Sequence, residues 1–230
     1  MLNDAEIEVV RLSAIVAAWS VAISIVPGVL LGWLLARWNS PLRGVLQGGV
    51  MLPLVLPPVV TGFILLALLG RSAPLGEAWE AITGGHIAYT TGACVIAAAV
   101  VGFPLMVESI RLSIVTVDPR LEMISRSLGR NRWSTFLRVT LPLALPGVLG
   151  GAVLCFARAL GEFGATIVLA GNIEGETRTI PVAVYTLMNS RDGDGGVFRL
   201  VLVSVAMSLA ALLVAGWLGR RRRRRSRLGD

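Results

Sequence analysis

Residues 121–142 read LEMISRSLGRNRWSTFLRVTLP. Four arginines, a central glycine and a closing proline here interrupt a chain whose other long stretches are apolar. Helical counting divides the stretch into three parts. Asp118 caps, and Pro119 starts, a helix with Leu121, Ile124 and Leu128 on one face, and Gly129 is placed to end it. About ten residues give a helix of roughly 15 Å, too short to cross a bilayer. After Gly129 the phase resets, and Trp133, Phe136, Leu137 and Thr140 form a new stripe that runs into Leu141 and Pro142. The stretch is therefore a short amphipathic helix, a glycine elbow and the start of a long apolar helix. The short helix reads either as an interfacial helix on lipid, its arginines reaching for headgroups, or as a docking helix for a cytoplasmic partner.

The sequence around it belongs in a membrane. Of 230 residues 55% are hydrophobic and only 15% charged, and the mean hydropathy is +0.76; a soluble domain of this length carries far more charge. Crossing the hydrocarbon takes about 20 apolar residues. Five stretches qualify, at 9–36, 47–70, 87–110, 134–160 and 197–218, and none alternates like a strand. The expectation is an all-α integral membrane protein with about five transmembrane helices. It forms one transmembrane domain over 1–230, with a loop at 111–138 and a basic tail at 220–230. The first span is too long, and its flank MLNDAEIE too acidic, for a cleaved signal peptide.

Arginine placement sets the expected orientation, since the chain has no lysine. Asp4, Glu6 and Glu8 flank the first span, and Glu77 and Glu80 lie in the second loop. Arg37, Arg43 and the tail arginines mark the other side. This places the N-terminus outside and the C-terminus in the cytoplasm. Alternation then puts 111–138 in the cytoplasm, in agreement with Arg111, Arg120, Arg126, Arg130, Arg132 and Arg138. A basic cluster directly after a span is a topology signal or a contact for anionic membrane lipid, so no nucleic-acid partner is expected.

The chemistry available is narrow. Cys94 and Cys155 sit singly in apolar helices, and His86 is the only histidine, so there is no metal cluster and no nucleophile with a base. Without lysine there is no Walker A loop. DGDGG at 192–196 lacks the later carboxylates of a calcium loop and reads as an external turn. The chain is expected to be neither an enzyme nor a cofactor binder. A self-sufficient carrier or channel is the alternative of another class, and it calls for carboxylates or histidines central in the spans. Glu108 and Glu162 both fall near span ends.

Two further features suggest a pathway. LPLVLPPVVTG (52–62) recurs as LPLALPGVLGG (141–151), each with prolines four apart. Such prolines kink a span and free carbonyls that lipid cannot satisfy, so these segments are expected to face a cavity or a neighbour. In FARALGEFGATIVLAGNIEGETRTIPVAVYTLMN (156–189), Arg158 and Glu162 are four apart, and two apolar runs too short to cross flank the polar NIEGETRT. An ion pair there either locks helices together or meets an anion directly.

The spacing of Gly129, Val139, Leu141 and Pro142 resembles the G-x9-I-x-L-P half of the cytoplasmic loop in permease subunits of binding-protein-dependent ABC importers. In that family the loop fits a cleft in the ATPase subunit. The family's E-A-A triplet falls on Met123, Ile124 and Ser125, and the nearest acid is Glu122. Residues 156–189 resemble molybdate permease subunits, above all in ARALGEFGATI and GETRTIP, and more loosely those for sulfate and thiosulfate. The resemblance implies a type I importer fold with a cytoplasmic coupling helix, transporting molybdate, or alternatively tungstate, sulfate or thiosulfate. It implies a second copy of the chain, two ATPase subunits that carry the ATP, and an external molybdate-binding protein. It assigns ATPase coupling to Glu122, Ser125, Gly129, Trp133 and Pro142. Thr61, Arg158, Glu162, Thr166 and Thr177 are the candidates for lining the pathway.

Overall fold

The computed structural model describes residues 2–190 and 194–226, with side chains as far as Val214 in the last helix. The turn at 192–196 therefore lies partly outside the described residues, as do the side chains of the 220–230 tail. Among the described residues there are eleven α-helices and one π-helical turn, and no strand. In chain order they are α1 (Asp4–Arg37), α2 (Leu42–Val55), α3 (Pro58–Leu69), α4 (Pro74–Thr83), α5 (Thr91–Val115), α6 (Pro119–Ser127), α7 (Arg132–Thr135), the π turn Phe136–Thr140, α8 (Leu141–Leu160), α9 (Gly164–Leu169), α10 (Ile180–Met188) and α11 (Asp194–Ser226).

Among the described residues four segments are long and apolar enough to cross a membrane: Asp4–Arg37, Thr91–Val115, Arg132–Leu160 and Gly195–Val214. The stretch expected as a second span is α2 followed by α3, bent by 110°; taken as one broken span it brings the number to five. The bend is far sharper than a kink, and the cause is local. A residue before proline is pushed out of the helical region, and consecutive Pro57 and Pro58 do this twice: Leu56 and Pro57 both take extended ψ, at 144° and 134°. The third span starts at Thr91 instead of residue 87 because the Thr90 side chain caps it, accepting from the Ala93 N–H.

α5 is the axis of the bundle, packed between α1 and α8. Lipid offers no hydrophobic drive for helix association, so close approach at small residues does this work. A Cβ on Gly102 would overlap Cys155 of α8, and one on Gly147 would overlap Ser113 of α5. The same seam carries hydrogen bonds from Ser109 Oγ to the Gly147 carbonyl (2.9 Å) and from Ser113 Oγ to the Ala144 carbonyl (3.2 Å). Met106, Ile110, Ile114, Ala144 and Val148 fill the core beside it. α11 lies on the outside of the bundle, packed on α8 and α10. It is tied to the start of α1, where Arg199 Nη2 donates to Glu6 Oε1 at 2.7 Å and Nε reaches both carboxylate oxygens.

Only one of the four repeated prolines turns inward within this chain. Pro57, Pro142 and Pro146 are exposed, so the faces they occupy are left for lipid or a neighbouring chain, whereas Pro53 is half-buried and lines a cleft with Pro27 of α1 and Phe103 of α5. Pro142, which has no N–H, follows the π turn, in which the Leu141 N–H donates to the Phe136 carbonyl.

Candidate coupling and pathway sites

The first site gathers where α1 ends and α8 begins. Asp118 Oδ1 accepts from the Arg120 N–H at 2.9 Å, and Pro119 takes the first position of α6. The helix closes at Gly129, whose φ of +81° only glycine adopts without strain. There the Gly129 N–H donates to Arg126 and the Arg130 N–H to Ser125, a glycine-terminated cap. Asn131 then accepts from the Ser134 N–H at 2.8 Å and starts α7.

α6 sits the opposite way round from a helix packed by its apolar face. Leu121, Ile124 and Leu128 are exposed, Leu128 by 77%, and Met123 is exposed with them. Glu122 and Ser125, by contrast, are buried, only 6% and 5% exposed. Burying a carboxylate requires partners, and Glu122 has them. Its Oε1 accepts from Arg37 Nε (3.1 Å), Arg37 Nη2 (2.9 Å) and Thr140 Oγ1 (2.8 Å), while Oε2 lies 4.0 Å from Arg126. The same Arg37 Nη2 donates to the Val117 carbonyl at 3.1 Å. Ser125 and Thr135 share a buried hydroxyl hydrogen bond of 3.0 Å.

Trp133 is half-exposed and stands edge-on to Trp33 of α1, with ring centroids 6.1 Å apart. Phe136 fills the angle, 4.9 Å from Trp33 and 5.4 Å from Trp133. A cleft of about 500 Å³ opens beside this group, lined by Trp33, Arg37, Glu122, Arg126, Arg132 and Phe136 among others. Of the residues assigned to coupling, Glu122, Ser125 and Trp133 thus join one cluster, Gly129 is its elbow, and Pro142 lies exposed beyond the π turn. Sequence reading missed Arg37, Thr135 and Trp33. Arg37 lies 85 positions from Glu122, and no local spacing announces the pair.

The second site lies at the other end of α8, whose 20 residues span about 30 Å. Arg158 Nη1 meets Glu162 Oε2 at 2.8 Å, and the Glu162 side chain is 1% exposed. Glu162 Oε1 accepts from the Ala165 N–H at 2.8 Å and so anchors the start of α9. α3 packs tightly on α9: a Cβ on Gly62 would press on Ala165, and one on Gly164 on Pro58. Thr61 and Thr166, the neighbours of Gly62 and Ala165, are both buried, and the Thr61 hydroxyl has no hydrogen-bond partner within the chain. Thr177 is placed differently. It is fully buried, its Oγ1 accepts from the Ile173 N–H at 2.9 Å, and its carbonyl faces Cys94 Sγ of α5. It shapes the loop before α10, whereas Thr61, Glu162 and Thr166 cluster about the contact of α3 with α9. Among the described residues no three side chains are grouped to hold a metal ion.

Comparison with known proteins agrees with this architecture. Residues 28–224 match the family described as "binding-protein-dependent transport system inner membrane component". The chain is 46% identical over 226 residues to the molybdenum transport system permease protein ModB of Escherichia coli (strain K12), covering 98% of this chain and 99% of that one. It is 42% identical to the protein of the same name from Haemophilus influenzae, with 98% of each chain covered. Among solved structures, the inward-facing MetNI methionine ABC transporter superposes with a TM-score of 0.71 at 15% identity, covering 96% of this chain and 99% of that one. A bacterial ABC transporter that imports the acidic polysaccharide alginate gives 0.69 at 17% identity, covering 96% and 80%.

Proposed function

The chain belongs to the family of binding-protein-dependent transport system inner membrane components, and from that membership we infer that it is the membrane-spanning permease subunit of an ATP-driven importer for molybdate. The relatives that match almost end to end are molybdenum permeases, and the neighbouring folds are permeases of ABC transporters. It is a transport subunit and not an enzyme; ATP is bound and hydrolysed on a separate chain. In the working assembly two copies pair, two ATPase subunits bind on the cytoplasmic side, and an external binding protein delivers the oxyanion. The N-terminus is outside, and α6 faces the cytoplasm as the coupling helix.

One observation carries the coupling assignment. α6 buries its polar residues and presents Leu121, Met123, Ile124 and Leu128 outward, a surface that a cleft in a partner would cover. Closure of two ATPase subunits would draw the paired α6 helices together and bias the bundle between inward-open and outward-open states. The dianion needs a polar, hydrated route, since moving it bare into hydrocarbon is prohibitive. Thr61, Arg158, Glu162 and Thr166 are proposed to line or brace that route, and Thr177 to support it from behind. A proton- or ion-driven carrier fits less well, because both carboxylates available for a relay are already paired: Glu108 with Arg111 at 2.6 Å and Glu162 with Arg158.

Replacing Leu121, Ile124 and Leu128 together by serine tests the reading. Membrane insertion should persist and co-purification of the ATPase subunit should be lost; full retention of the ATPase would contradict it. Competition of labelled molybdate uptake by tungstate, sulfate and thiosulfate ranks the oxyanions.

A further inference from the structure

The covalent route from α6 into the bundle passes through the Gly129 elbow and the π turn at Phe136–Thr140. Both depart from regular helix, and the Ser125–Thr135 hydrogen bond bridges the elbow. A second route bypasses them. Arg37, in the last turn of α1, donates to Glu122 through two nitrogens and to the Val117 carbonyl through one of the same pair. One planar guanidinium therefore joins the end of α1, the α5–α6 connection and α6 itself. Four residues earlier on α1, Trp33 packs on Trp133 and Phe136, so the same turn of α1 also grips the segment beyond the elbow. Thr140 adds its hydroxyl to the oxygen that Arg37 holds.

We propose that Arg37 is a positioning residue for transport: it clamps α6 to the last turn of α1, so that movement of α6 is passed to the first span directly. The proposal rests on α6 being the coupling helix. Arg37 reaches neither substrate nor nucleotide in this account and acts through Glu122. The same geometry makes lysine only a partial replacement in expectation. An ammonium is a single point charge, and it cannot serve the carboxylate and the Val117 carbonyl with the fixed fork that Arg37 uses.

The test uses the complete transporter, with ATPase subunits and binding protein, reconstituted in liposomes and followed for ATP hydrolysis and labelled molybdate uptake together. Arg37→Gln should still bind the ATPase and hydrolyse ATP, while molybdate moved per ATP falls about two- to thirty-fold, the range seen when a coupling element is altered. Arg37→Lys should recover part of that ratio. A wild-type ratio in Arg37→Gln overturns the proposal. So does a loss of insertion, ATPase binding and ratio together in both variants, which would make Arg37 merely structural. If the unmutated chain fails to bind an ATPase or to transport, the fault lies with the reading of α6 and not with Arg37.

Discussion

The hydroxyls of Ser125 and Thr135 lie 3.0 Å apart in a buried contact that joins α6 to α7 across the Gly129 elbow. With Glu122 held by Arg37 and Thr140, this bond makes α6, the elbow and α7 one unit seated on the end of the bundle. Removing one partner of a buried hydrogen bond leaves the other unsatisfied, whereas removing both can be nearly neutral. Ser125→Ala should therefore cost about 1–2 kcal/mol, and adding Thr135→Val should return part of it. Thermal unfolding of the four proteins of this cycle in detergent gives the coupling; strict additivity would show that the bond contributes nothing.

Gly129 has a φ of +81° and open space where a Cβ would go. A Cβ there meets no clash, so the first cost of substitution is backbone strain. Gly129→Asn should be tolerated, since asparagine enters the left-handed region comparatively easily, while Gly129→Val should lose about 1–3 kcal/mol and distort the elbow. Insertion should survive in both, and ATPase co-purification should fall only in the valine variant. Equal behaviour of the two would rule out a backbone role.

The Arg158–Glu162 pair separates a structural lock from an anion contact. Glu162 is buried and also anchors α9 through Ala165. Arg158→Ala leaves that carboxylate uncompensated and should destabilise by about 3 kcal/mol. Glu162→Gln keeps an acceptor for the Ala165 N–H and should cost less. Unfolding curves together with uptake at varied molybdate decide the role: a raised KM with unchanged stability in Arg158→Ala would make the arginine an anion contact instead.

Gly147 tests the packing of the bundle. Any side chain there collides with Ser113 of α5 and crowds the Ser109 carbonyl. Gly147→Val should force the helices apart at about 1–3 kcal/mol or more and reduce folded protein. Gly48→Val, where a Cβ meets nothing within the chain, should leave the single chain's fold intact. Size-exclusion recovery of the two variants is the comparison.

Much of this was legible in the sequence. Length and hydropathy mark the spans, because a helix must satisfy its own backbone in lipid, and the Asp118 cap, the Pro119 start and the Gly129 elbow follow from local chemistry alone. What could not be read depends on distant partners. The prolines four apart in 52–62 read as a kink, whereas Pro57 and Pro58 together turn the chain by 110°, and the seat of α3 on α9 at Gly62 and Gly164 that this bend serves has no local signal. The stripe of Leu121, Ile124 and Leu128 reads as a face for lipid or for a partner and does point outward, but that Arg37 and Thr140 hold Glu122 inside on the opposite face has no local signal. Thr177 is a pathway candidate by its hydroxyl, and the contacts that bury it, with the Ile173 N–H and Cys94 Sγ, have no local signal.

Molybdate accumulation in liposomes measures the central claim most directly. The chain reconstituted with its ATPase and binding protein should accumulate molybdate only when ATP is supplied on the ATPase side, and the chain alone should accumulate none. Uptake by the chain alone, without ATP or partner, would contradict the account.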